Sequence, residues 1–123
     1  MKLFSIVWIA VITGILVFAS QTFGQPDVVD AAERDFKKAD SEMNVAYQKV
    51  LSILTKDSDH GKILIVDFKK AQRAWLTFRD AEAACRAGVS SGGGSAYSVD
   101  YLANLATLTE QRTKDLAEML KAR

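Results

Sequence analysis

Three sets of polar residues occupy positions where helical spacing calls for apolar ones. Asp40, Asn44 and Tyr47 stand at i, i+4 and i+7, which puts them on one face of a helix. Gln72, Trp75, Arg79 and Glu82 follow at i, i+3, i+7 and i+10 on a second face. Arg112 interrupts a leucine series between Leu108 and Leu116. A charge withdrawn from water is costly unless it is paired. The three sets are therefore expected to meet, with Arg79 or Arg112 in two-pronged contact with a carboxylate such as Asp40. Such a network either fixes helix register alone or lines a groove for a partner.

The same inventory argues against catalysis. Hydrolysis needs a nucleophile with a base and an orienting group, paired carboxylates, or a metal. Cys85 has no imidazole to serve it except His60, the single histidine, in a distant polar turn that marks it as a surface residue. No run of His, Cys or carboxylate residues has metal-ligand spacing. Gly92, Gly93 and Gly94 are not followed by the Lys-Ser/Thr pair of a phosphate loop. The expectation is a protein that is not an enzyme, with no metal and no cofactor.

Three amphipathic helices must position these residues. Asp27–Leu54 carries Phe36, Ala39, Met43, Tyr47, Val50 and Leu54 every three or four residues. Pro26 and Asp27 mark its start, and Asp30 with Glu33 has capping-box spacing. Thr55–Gly61 is a polar turn. Lys62–Ala87 follows as a helix with an apolar series Leu64, Phe68, Ala71, Trp75, Phe78 and Cys85. Ile63–Val66 alone could be a strand, but the uninterrupted run of helix formers downstream decides for helix. Trp75 is expected at the centre of the core. If it is fully buried, its truncation to alanine costs about 3–5 kcal/mol. Gly88 is the expected helix stop, and Gly88–Ser98 the expected flexible loop, with Ser95 and Tyr97 at its tip. Val99–Lys121 forms the third helix, capped by Ser98 or Asp100, with Leu102, Leu105, Leu108, Leu116, Met119 and Leu120 as its stripe. The fold class is all-α, a small bundle of three main helices behind a signal peptide.

That signal spans residues 1–24. Lys2 is its only charge, and Leu3–Phe18 is a nearly continuous apolar run, shorter than the roughly 20 residues that cross a bilayer. Small residues beyond it allow cleavage after Ala19 or after Gly24; an uncleaved N-terminal anchor is the rival reading. Residues 25–123 then form one domain, periplasmic or secreted. It retains 15 basic and 15 acidic residues, a balance that offers no electrostatic case for nucleic acid or for a membrane surface. Cys85 is the only cysteine. It is read either as a buried thiol or as the link of a disulfide-bonded dimer or other thiol modification.

The segments KADSEMNVAYQKVLSIL, KKAQRAWLTFRDAEAAC, GGSAY and LATLTEQRTKDLAEML, in that order, resemble the LprI-type, lysozyme-inhibitor-like family from about Phe36 to Leu120. The most specific block holds Gln72, Arg73, Trp75, Arg79, Asp80, Glu82 and Cys85; Leu108–Glu110 with Arg112 is the second. The resemblance implies a small exported helical protein, and one lipoprotein member inhibits lysozyme. Members often carry a cysteine ahead of the Asp-x-x-x-Asn-x-x-Tyr motif that can pair with the cysteine of the second helix. Here that stretch reads AAERDFKKAD, without cysteine, and no lipoprotein signal is present. The resemblance points to an inhibitor of lysozyme or another cell-wall hydrolase, with Gly92, Gly93, Gly94, Ser95 and Tyr97 as the partner-binding loop. The alternative is a structural or interaction module of the envelope, bound to another envelope protein.

Overall fold

A computed structural model describes residues 26–56 and 60–122; the expected signal peptide lies outside them. Three helices follow in order: α1, Pro26–Lys56; α2, Gly61–Ser91; and α3, Tyr97–Lys121. No strand occurs among the described residues. The two 31-residue helices are each about 46 Å long at 1.5 Å per residue. Asp40 meets Arg79 while the later Met43 meets the earlier Gln72, so α2 runs opposed to α1, and α3 runs the same way as α1. The most extensive packing is between α1 and α3, followed by α2 on α3; α1 and α2 touch least.

The core is graded along this length. Met43, Ala46, Val50, Leu54, Phe68 and Leu116 form a cluster of large side chains, flanked by half-buried Tyr47, Leu51, Ile65, Trp75 and Leu120. The Tyr47 and Phe68 rings stack across α1 and α2, with centroids 5.0 Å apart. Toward the α2–α3 turn the buried apolar residues are small, Ala32, Ala39, Ala83, Ala87 and Ala106, except for Leu105. There the helices approach through methyl groups. Among the described residues, the buried apolar ones lie between Ala32 and Leu116.

The apolar series read for α1 is the one that packs. That of α2 packs only through Phe68 and the half-buried Trp75: Leu64, Ala71, Phe78 and Cys85 are exposed. The buried residues of α2 are Gly61, Phe68, Gln72, Arg79, Ala83 and Ala87. Two polar side chains hold the inward face because both reach groups on the neighbouring helices. Ile63 and Val66 are also exposed on α2. Trp75 is half-buried rather than central, so the condition attached to its 3–5 kcal/mol cost is not met. Met43 and Leu116 hold the central positions, at 1% and 0% exposure.

Helix ends also depart from the expected ones. Glu33 sits well inside α1, where its carboxylate meets Lys37 Nζ at 2.7 Å and forms no capping box; that contact pulls the Glu33 pKa down. Gly88 does not stop α2. Ser91 Oγ donates back to the Ala87 carbonyl at 2.6 Å, and Ala87 is fully buried, so the helix is held for another turn. It ends at Gly92, whose φ of 58° is left-handed and whose N–H bonds to the Gly88 carbonyl. The loop is thus residues 92–96. Neither Ser98 nor Asp100 caps α3; its N-cap is Ala96, with no side-chain bond. The Asp100 carboxylate instead accepts from Ser90 Oγ at 2.7 Å, tying the ends of α2 and α3 together.

Gly88 is now an exposed glycine in a helix interior, with nothing within 4 Å of where a Cβ would stand. Gly88→Ala is expected to stabilise the domain by about 0.5–1 kcal/mol. A thermal melt checks this, and a lowered midpoint would show that the helix does not run through residue 88.

Candidate functional site

The polar sets of the three helices meet. Arg79, on α2, is only 8% exposed. Its Nη1 donates to Asp40 Oδ1 on α1 at 3.2 Å, while Nε and Nη2 both reach Asp80 Oδ1, at 2.9 and 2.8 Å. Asp40 also accepts from Asn44 Nδ2 at 3.2 Å through its other oxygen. The Arg79 guanidinium lies over the Phe36 ring at 5.2 Å and the Trp75 ring at 5.5 Å. Every edge of this cation is therefore used, and two aromatic faces shield it from water.

Gln72 is the second buried node. Its Nε2 donates to Met43 Sδ on α1 at 3.0 Å, and its Oε1 accepts from Arg112 Nε on α3 at 3.0 Å. One amide thus bridges all three helices. Arg112 in turn lies over the Trp75 ring at 5.6 Å. Phe36, Arg79, Trp75 and Arg112 alternate as ring and guanidinium. Burial lowers the Arg112 pKa from its ordinary value, opposed by the charge of Asp115. No buried side-chain nitrogen or oxygen among the described residues lacks a partner.

The remaining expected members stand outside this network. Tyr47 serves the apolar core through its ring. Glu82 makes a pair with Arg86 Nε at 2.7 Å on the outer side of α2. Asp80 supplies the second carboxylate to Arg79, where the spacing argument had placed Glu82 on the inward face. Phe36 and Met43 are the participants that spacing alone assigned only to the core. Phe36 stands four residues before Asp40, which is the signal that could have found it. Thr109, fully buried, satisfies its hydroxyl on the Leu105 carbonyl at 2.7 Å.

Of the expected partner-binding loop, Gly92, Gly93, Gly94 and Ser95 are exposed at the turn between α2 and α3. Gly92 and Gly93 have φ of 58° and 76°, a conformation that side chains with a Cβ adopt at a cost. Tyr97 is not at the loop tip. It begins α3, and its ring stacks on Tyr101 at 6.1 Å, one turn further along the helix.

Cys85 is exposed, which overturns the buried-thiol reading. No disulfide partner exists for it among the described residues, and the expected disulfide-linked dimer finds no support. His60 is exposed at the start of α2 and makes no side-chain cap. No group of three or more potential metal ligands lies together among the described residues. No described helix is long and apolar enough to cross a membrane.

Comparison with known proteins places this arrangement. An uncharacterized protein of Rhizobium meliloti (strain 1021) is 33% identical over 105 residues, spanning 80% of this chain and 75% of the relative. No solved structure matches. The family described as Lysozyme inhibitor LprI matches residues 19–116, a stretch that holds every member of the Arg79 and Gln72 networks; the chain belongs to the LprI family.

Proposed function

We propose that the protein is an exported binding protein that inhibits lysozyme or another cell-wall hydrolase and has no catalytic activity of its own. Membership of the LprI family across residues 19–116 carries this reading. Residues 1–24 act as the export signal, and residues 25–123 work in the periplasm or outside the cell. A lysozyme cleft accepts an extended sugar chain between two carboxylates, so an inhibitor needs a narrow protruding element. The turn at Gly92–Ser95 suits that role: it is exposed between the end of α2 and the start of α3, lacks bulky side chains, and is braced by the Ser90–Asp100 hydrogen bond.

A titration of c-type and g-type lysozymes with residues 25–123, following cell-wall lysis, tests the proposal. Saturable inhibition near stoichiometric ratios is expected. Absence of inhibition at large excess of folded protein would overturn it. The second reading, an interaction module of the envelope with no hydrolase target, is favoured by Phe78 and Val89, exposed at 54% and 83%. With Cys85 they lie on exposed positions of α2. Near-neutral charge also favours it, since a basic lysozyme would not be steered electrostatically toward this domain.

A further inference from the structure

The two arginines of the network are treated differently. Arg79 is neutralised by Asp40 and Asp80. Arg112 has no carboxylate within ion-pair distance among the described residues. Its Nε is committed to Gln72, but Nη1 and Nη2 have no protein acceptor among these residues. Neither nitrogen is sealed from solvent, because no buried nitrogen is left unpartnered. Asp115, the carboxylate whose charge it feels, accepts instead from Gln111 Nε2 at 3.0 Å.

The guanidinium is also held in place. Gln72, 6% exposed, grips Nε and is itself fixed by Met43. The half-buried Trp75 ring supports the flat face. A partly desolvated cation, oriented at one edge and open at two donors, matches a carboxylate, which offers two oxygens at the spacing of the guanidinium fork. The half-buried Trp75 ring, already flanked by Arg79 and Arg112, offers its edge as apolar contact for whatever carries that carboxylate.

We propose that Arg112 and Trp75 form a carboxylate-binding site on the side of the bundle, separate from the Gly92–Ser95 turn. The carboxylate comes either from a free small molecule or from an acidic side chain of the protein target. The second source rests on the inhibitor reading; the first does not.

Residues 25–123 contain Trp75 as their sole tryptophan, which gives a clean reporter. Benzoate is titrated into the labelled protein while the Trp75 indole and Arg112 Nε–H resonances are followed, with benzamide as the uncharged control. Saturable shifts with benzoate and none with benzamide are expected. Arg112→Gln should abolish them, and Arg112→Lys, which keeps the charge without the fork, should weaken binding several-fold. Equal responses to benzoate and benzamide, or a benzoate response that survives Arg112→Gln in a folded variant, would overturn the site. A parallel lysozyme titration separates the sources. Loss of inhibition in Arg112→Gln, at unchanged melting temperature, assigns the carboxylate to the hydrolase. Benzoate binding with inhibition unaffected by the substitution assigns it to a small molecule. Failure of wild type to inhibit, with benzoate binding intact, removes the inhibitor reading and leaves the site.

Discussion

Leu116→Ala is expected to destabilise the domain by about 3–5 kcal/mol. Leu116 is fully buried and enters the large-residue cluster from α3, between Met43 of α1 and Phe68 of α2. Long helices on both sides cannot collapse into the space left behind, so the cavity term adds to the lost transfer energy. A domain of this size has about 5–15 kcal/mol in total. At about 4–8 °C per kcal/mol, the melting temperature should fall by at least about 12 °C. Urea unfolding measures the same loss as a lower midpoint at unchanged slope. A loss below about 1 kcal/mol would mean that α3 does not seal the cluster.

Arg79→Ala is the second large effect, expected at about 2–4 kcal/mol. Three contributions combine. Charge-assisted hydrogen bonds to Asp40 and Asp80 disappear, at about 1.5–3 kcal/mol for bonds of this type. Packing of the arginine stem and its contacts with Phe36 and Trp75 go with them. The two carboxylates are then left facing a gap, although both are partly solvated, at 38% and 54% side-chain exposure, which limits that part. A double-mutant cycle with Asp40→Ala should return a coupling of about 1–2 kcal/mol. Because the guanidinium is shielded, that coupling should persist in high salt, whereas the exposed Lys37–Glu33 pair should lose its effect. A coupling that vanishes with salt would place Arg79 at the surface.

Residue pattern made α1 legible because its apolar positions form one unbroken stripe, Phe36 to Leu54, and burial alone decides where such a stripe faces. In α2 the same reasoning found Phe68 and half-buried Trp75 but misplaced the other four apolar positions. Phe78 and Leu64 are apolar yet exposed, while Gln72 and Arg79 are polar yet buried. Periodicity cannot see that a polar side chain is worth burying when a neighbouring helix supplies its partner. The types in the network and a pairing of Arg79 with Asp40 were readable, since unpaired buried charge is excluded; the single-pronged form of that pair and the second carboxylate were not. Asp80, the next residue on α2, supplies that second carboxylate, a neighbour that helical spacing does not place on the same face. The stop at Gly92 instead of Gly88 has a similar origin. Both are glycines, and the difference lies in Ser91 bonding back to buried Ala87 and in Ser90 tying the added turn to Asp100. The turn chosen as partner-binding was placed correctly as a break, but Tyr97 belongs to the helix beyond it.

The preference of α1 for α3 over its sequence neighbour α2 governs how the chain reaches this state. The α2–α3 hairpin needs only a five-residue turn to close and can form by itself, held by Ser90 and Asp100. Docking α1 requires closing a loop that contains the whole of α2, at a higher entropic cost, and such non-local pairing comes late. During synthesis from the N-terminus, α1 has no full partner until the last helix exists. A chain whose first helix must wait for its last completes its core only after the final turns of α3 have been made.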